Sequence, residues 1–365
     1  MLDGVALSAW NTHSNGQLEG KVLNFNDKTS IKKAKIKVYE MDSEKLIKKT
    51  TSSETGDFKL SIPEGDCIIR VSADGYIPFE SVEYVKRYET KFIQPLLMVE
   101  GSENPNVLGE IGGTISDTLS GEGISDVNIQ VLKGWNNSNG NVINSTETND
   151  DGQYSLNLPY GNYTLLLSKD GYTNNHINVA VSNTPSLNQN GAMTPDDDSI
   201  PAGELRFVLT WGETPYDLDS HLIGPKVDSG LFHVYYNDKE YSYNDETQAF
   251  LDHDDRYSYG PETTTIYKMK KDGTYSFYIR NYSDCYDQND TNLANSGAKV
   301  QVYAGNLLIE TFNVPTTGIG PVWYVFDIDA TSNKIIPINE FLSDFPNSYD
   351  IEAFSDEKER SQEVY

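Results

Sequence analysis

Two short segments gather most of the residues in this chain that could do chemistry, "PYDLDSHLIGP" at 215–225 and "FLDHDDRYSYGPET" at 250–263. They place Asp217, Asp219, Asp252, Asp254, Asp255 and Glu262 alongside His221 and His253. Side chains two apart on a strand share a face, so Asp217, Asp219 and His221 are expected to point one way and Leu218, Ser220 and Leu222 the other. Carboxylates gathered on one face, and met by others from a loop, repel unless a cation sits among them. Hard oxygen donors beside turn glycines suit Ca²⁺, which takes about 6–8 oxygens in loose geometry. Asp217, Asp219, Asp252, Asp254, Asp255 and Glu262 are therefore the candidate ligands, with the ion in a structural role. Zinc is the second choice of metal: His221, His233 and His253 fall in this region, yet no His-Glu-x-x-His or comparable ligand spacing accompanies them. The competing reading needs no metal. In it Asp217 and Asp219 cap turns, and "DHDDR" is a solvated loop with Arg256 as its counter-charge.

Other chemistry is not written in the sequence. It has no Gly-x-Ser-x-Gly elbow, no P-loop and no glycine-rich dinucleotide turn, and neither Cys67 nor Cys285 comes with a recognisable histidine partner. The aspartate run reads as a loop, whereas glycoside hydrolysis wants two acids in unlike environments. The expectation is a chain that is not an enzyme. A formal charge of -27 and a pI near 4.4 exclude nucleic acid and anionic membrane surfaces as natural partners, and favour cations. The charge is uneven: 1–100 hold 14 basic and 15 acidic residues, 101–200 hold 2 and 12, and 201–365 hold 12 and 28. The acidity thus belongs to the later part, where the candidate cation site lies.

Two cysteines far apart make no disulfide framework. No stretch approaches the ~20 apolar residues of a membrane span, so direct membrane insertion is not expected. The opening "MLDGVALSAW" lacks a basic n-region, and the expectation is that Met1 is not a native start and that the chain is a segment of a larger protein.

The elements that position these residues are strands. Gly56, Gly65 and Gly75 are spaced 9 and 10 apart in "GDF", "IPEG" and "DGY", and Gly152, Gly161 and Gly171 repeat that spacing in "GQY", "LPYG" and "DGY". Upstream, "GKVLNFNDKTSIKKAKIKVYE" matches "GTISDTLSGEGISDVNIQVLK" in its strand, polar turn and alternating strand. This is an internal duplication of a small sandwich. Glycine at turns accepts positive φ, and the aromatics that follow, Phe58, Tyr76, Tyr154 and Tyr172, are expected to enter the cores. The pattern Gly-x-Val, Ala-x-Ile-x-Val, Gly-x-Phe, Pro-x-Gly-x-Tyr and Gly-Tyr resembles the carboxypeptidase regulatory-like domain over 16–100 and 107–183. It is also similar to the B-type repeats of Gram-positive surface adhesins. The resemblance implies a transthyretin-like sandwich that serves as spacer, stalk or appended module of secreted proteins and carries no catalysis. Cys67 stands where the first copy should have an aromatic; Tyr163 fills the place in the second.

Residues 184–202 are rich in Asn, Pro, Asp and Gly and read as a linker. A third sandwich, jelly-roll-like, is expected over 203–335, followed by an acidic tail at 336–365. The fold class expected is therefore all-β, three consecutive antiparallel β-sandwich domains. The blocks "LTWGETPYDLDSHLIGP", "LDHDDRYSYGPET", "GTYSFYIRN" and "GPVWYVFDID" resemble the C-terminal domain of the bacterial YfaP-type family of unknown function. More distantly, "DLDSHL" and "GTYSFYI" are similar to blocks of pre-peptidase C-terminal domains, which accompany secreted proteases and can bind calcium. His221 departs from that second pattern. These resemblances imply a non-catalytic extracellular or cell-surface binding and spacer segment with an unidentified protein or glycan ligand. The alternatives are an accessory region of a secreted hydrolase and, more weakly, a metal-dependent enzyme using the third-domain Asp/His cluster. Tyrosine concentrates late, 16 of 24 after residue 200, and alternating tyrosine is ordinary sheet composition.

Overall fold

The computed structural model describes residues 15–196 and 204–345. Two compact units divide the chain, Met1–Asp198 and Ser199–Tyr365. The first unit opens with β1 (Asn15–Asn24), β2 (Lys35–Glu40), β3 (Leu46–Thr51), β4 (Asp57–Pro63), β5 (Gly65–Ser72), β6 (Phe79–Val85), β7 (Thr90–Phe92) and β8 (Leu96–Met98). One sheet runs β3-β2-β5-β6; the other runs β4-β1-β7, with β8 also on β1. Alternation drives the packing: in β1 every second residue is buried, and Leu18 and Val22 meet Ile36, Val38, Ile69 and Phe79 between the sheets.

The same arrangement follows in β9 (Leu108–Asp117), β10 (Asn128–Lys133), β11 (Asn144–Glu147), β12 (Gln153–Pro159), β13 (Gly161–Ser168), β14 (Asn175–Val181) and β15 (Gly191–Met193). Its sheets, β11-β10-β13-β14 and β12-β9-β15, repeat the strand order of the first copy. The duplicated glycines explain the match at backbone level. Gly56 and Gly152 have φ of 81° and 75°, and a Cβ at either would lie 2.6 or 2.7 Å from the carbonyl oxygen of Val22 or Ile115, equivalent positions on β1 and β9. Phe58 and Tyr154 are buried, while Tyr76 and Tyr172 pack half-buried against their cores. Cys67 also lies in the core, where burial pushes its thiol up to about 12 and leaves it unreactive.

The stretch read as a linker is not wholly one. β15 pairs in parallel with Ile115–Asp117, as β8 does with Val22–Asn24, and Met193 is fully buried. Residues 184–195 thus complete the second sandwich, and 197–202 lie outside the described residues.

The second unit holds β16 (Leu205–Thr210), β17 (Leu218–Pro225), β18 (Leu231–Val234), β19 (Glu240–Tyr243), β20 (Glu246–His253), β21 (Glu262–Ile266), β22 (Thr274–Asn281), the short helix α1 (Asn292–Asn295), β23 (Lys299–Ala304), β24 (Leu307–Asn313), β25 (Val322–Asp329) and β26 (Lys334–Leu342). A six-stranded sheet, β19-β20-β21-β16-β23-β24, and a five-stranded one, β18-β17-β22-β25-β26, enclose a core of Phe207, Leu218, Leu222, Phe277, Trp323 and Phe326. All their pairings are antiparallel. The acidic tail expected from 336 begins later, because Ile336 and Pro337 pair with Asp327 and Phe326 and the strand continues to Leu342. Residues 346–365 lie outside the described residues.

Candidate functional site

Leu218 and Leu222 enter the main core, while Asp219 and His221 occupy the alternate face of β17, as the spacing predicts. β18 pairs only with Leu222–Pro225, leaving one edge of Leu218–His221 without a strand among the described residues. Glu262, at the start of β21, serves that edge: its Oε1 accepts the Ser220 N–H at 2.6 Å, and Thr264 Oγ1 meets Ser220 Oγ at 2.9 Å. Three carboxylates converge here. Oxygens of Asp219, Asp254 and Glu262 lie within 4.8 Å of one another, with Asp219 2% and Glu262 1% exposed.

Asp254 Oδ2 receives Lys239 Nζ at 2.8 Å. Its Oδ1, Glu262 Oε2 and Asp217 Oδ1 are buried without a hydrogen-bond partner among the described residues. Burial drives the Glu262 carboxyl well above its usual range; the Ser220 hydrogen bonds oppose this and the charges of Asp254 and Asp217 reinforce it. Asp217 is pushed up to about 7, first by burial and then by Asp254, against the pull of Arg256.

Two candidates from the same segment do other work. A β-bulge between Leu251 and His253 changes the register of β20 on β21, and Asp252 accepts the Tyr267 hydroxyl at 2.6 Å. Tyr267 alternates with Glu262 and Thr264, so Asp252 engages the other face of the β21 line. Asp255 Oδ1 accepts the Tyr257 N–H at 2.8 Å and closes a turn, the task the metal-free reading gives to Asp217 and Asp219.

His221 does not join the carboxylates. Its Nδ1 lies 2.9 Å from His233 Nε2, with Tyr235 stacked on both rings and the Phe345 ring 4.6 Å from that of His221. Burial, then the charges of His233 and Arg280, hold His221 well below its ordinary range. Burial and then Arg280 lower His233 to about 4. Both rings are therefore neutral at pH 7. His253 stands on β20 of the opposite sheet, so the three histidines counted from sequence do not form one donor set.

In the first unit the sequence reading passed over Trp135. It follows β10 and reaches the first sandwich, where its N–H donates to Glu80 O at 2.9 Å and its carbonyl accepts the Val82 N–H at 3.0 Å, adding a one-residue bridge beside β6. The indole sits 4% exposed, edge-on to Phe79 at 5.0 Å between centroids, and its Nε1–H donates to Val179 O on β14 at 3.1 Å. Around it Asn136 Nδ2 donates to Glu83 Oε1 at 2.7 Å and Asn178 Nδ2 to Asn136 Oδ1 at 2.7 Å, while Asn162 Nδ2 donates to Leu97 O at 2.8 Å. Ile77 and Val99 of the first copy bury a third apolar patch against Ala180 of the second. Burial raises the Glu83 carboxyl, opposed by Lys91 and by hydrogen bonds from Ser81 and Asn136. The two sandwiches of this unit are thus joined by the buried indole, a small shared apolar patch, a backbone bridge and a polar network in which only the Asn162 Oδ1 has no partner among the described residues.

Residues 110–194 match the carboxypeptidase regulatory-like domain family, a span that takes in β15. No curated protein matches the chain. Among solved structures, the Bacillus anthracis TIE protein is 15% identical over 83% of this chain and 49% of its own, with a TM-score of 0.22, so this chain spans about half its length. A streptococcal ancillary pilin is 11% identical, covering 50% of this chain and 62% of its own at a TM-score of 0.21. The shaft pilin SpaA from Lactobacillus rhamnosus GG is 11% identical, covering 50% and 99% at 0.20. Values this low carry no inference about function or assembly.

Proposed function

We propose that this chain is a non-catalytic spacer and binding segment of a larger bacterial protein exposed at the cell surface or outside the cell, with a structural calcium ion in its second unit. The observation that carries the reading is the joint at Trp135. A sandwich of the same strand order precedes the carboxypeptidase regulatory-like match at 110–194, and the two are fastened into one unit by main-chain hydrogen bonds, the Trp135 indole and a small shared apolar patch. A spacer gains from such a joint because it transmits position along the chain, whereas a flexible linker would let the copies swing independently. For the second unit the reading keeps the YfaP-type resemblance of its four sequence blocks, which brings no known reaction with it. No helix among the described residues is long and apolar enough to cross a membrane.

Location is tested by staining intact cells that express the full native protein with antibodies raised against residues 15–196. Staining before permeabilisation is expected. Staining only after permeabilisation would remove the surface reading.

A further inference from the structure

We propose that Asp219, Asp254 and Glu262, completed by Asp217, form one divalent-cation site of calcium type, and that the ion fastens the loop 254–261 to the free edge of β17. The proposal rests on the calcium part of the reading above, and narrows six candidate ligands to four with a defined task.

Convergence of acids would not by itself make a site. The second observation is Glu262, which is 1% exposed. Its Oε1 is satisfied by Ser220, but its Oε2, equally buried, has no hydrogen-bond partner among the described residues, and the Glu262 carboxylate is one of the three that converge. A buried carboxylate oxygen without a donor is a vacancy in bonding that water-exposed acids do not have. Asp254 brings one more such oxygen, and Asp217, near enough for its charge to act on Glu262, has another. Among the described residues Lys239 pairs with the Oδ2 of Asp254, and the charge of Arg256 acts on Asp217.

The spacing fits a large hard ion. Two oxygens on opposite sides of a Ca²⁺ at about 2.4 Å each are about 4.8 Å apart. The oxygens of Asp219, Asp254 and Glu262 all lie within 4.8 Å of one another, so a point among them lies within about 2.8 Å of all three, close to the Ca²⁺–oxygen range. An all-carboxylate donor set disfavours zinc, and the paired histidines are turned to each other. Mg²⁺ demands shorter bonds and near-octahedral order, and a cluster drawn from two strands and a loop meets that less readily than Ca²⁺.

The ligands also say what the ion holds. Asp217 and Asp219 flank the start of β17, Glu262 opens β21, and Asp254 begins the loop that joins β20 to β21. That loop is tied to its neighbour 211–217 by Trp211 N–H to Tyr259 O at 3.1 Å and Ser258 Oγ to Glu213 O at 2.7 Å. It displays Tyr257 next to Tyr216, both more than half exposed. Removing the ion leaves the buried carboxylates to repel, and the exposed end of the loop is the part free to move away.

The test is calcium titration by calorimetry on the chelated full chain, with deuterium exchange read at 254–261. One ion should bind, exchange at 254–261 should slow, and Glu262→Gln, which keeps the acceptor for Ser220, should weaken binding by at least ~10-fold. Asp254→Asn should do the same, while Asp252→Asn should leave affinity within about twofold. Binding that ignores Glu262→Gln and Asp254→Asn would overturn this site and spare a calcium ion elsewhere in the unit. An absence of binding at millimolar calcium would overturn both, and would leave the Trp135 joint untouched.

Discussion

Replacing Trp135 by alanine should cost the first unit more than any other single truncation at its joint. The indole is 4% exposed, and it contributes both to the first sandwich's core and, through its Nε1–H, to Val179 of the second. Tryptophan-to-alanine changes in a core cost about 3–5 kcal/mol. In a domain of about 150–250 residues each kcal/mol lowers the midpoint by about 2–4 °C, so the first unit should melt roughly 10 °C lower. The main-chain bridge from Glu80 through Trp135 to Val82 does not need the ring, and the two sandwiches keep cores of their own. The loss should therefore fall on their coupling: a transition that is single in the unaltered chain should broaden or split. Trp135→Phe retains apolar contact but gives up the indole N–H donated to the Val179 carbonyl, a loss of about 0.5–1.5 kcal/mol. Differential scanning calorimetry of the full chain reads all three. A midpoint drop under about 2 °C in Trp135→Ala, or two separate first-unit transitions in the unaltered chain, would refute the reasoning.

The histidine pair should make the second unit acid-sensitive in calcium-saturated buffer. The folded pKa of His233 is lowered to about 4 by burial and Arg280, below the unfolded value of about 6.5, so the unfolded state binds more protons between them and stability falls as pH drops through that window. Denaturant titrations at pH 7 and pH 4.5 should differ by roughly 2–3 kcal/mol for this group, and equal stability would contradict the buried neutral pair. Among the duplicated glycines, Gly152→Ala should destabilise by more than about 2 kcal/mol, since its Cβ would lie 2.7 Å from the backbone at Gly123, Ile115 and Ile124. Gly171→Ala meets nothing within 4 Å and should cost only the ~1 kcal/mol of its positive φ, so equal effects of the two in urea melts would undo the steric argument.

The sequence showed its duplication because the repeated glycines hold backbone shapes that other residues disfavour, and because strand alternation is written locally in residues such as Ile36 and Val38. It hid β15 because a three-residue parallel edge strand is too short to show a period, and "NQNGAM" has the composition of a connector. The face of β17 was legible from Leu218 and Leu222. The division of Asp252 from Asp254 was not, because it depends on a β-bulge, and neither was the pairing of His221 with His233, which depends on β18 returning along β17. Trp135 gave no signal of its own: its partners Phe79 and Glu80 lie some fifty residues earlier, and only their contact reveals its task.

The most direct measurement of the spacer reading is the distance distribution between spin labels on the two sandwiches of the first unit. Lys48→Cys on β3 and Ser145→Cys on β11 place labels at exposed positions, with Cys285→Ser removing the second-unit thiol and the buried Cys67 left in place. Double electron–electron resonance on the full chain should give one narrow peak that broadens in Trp135→Ala. A broad distribution in the chain with Trp135 intact would mean that the two copies move independently, and would contradict a fastened spacer.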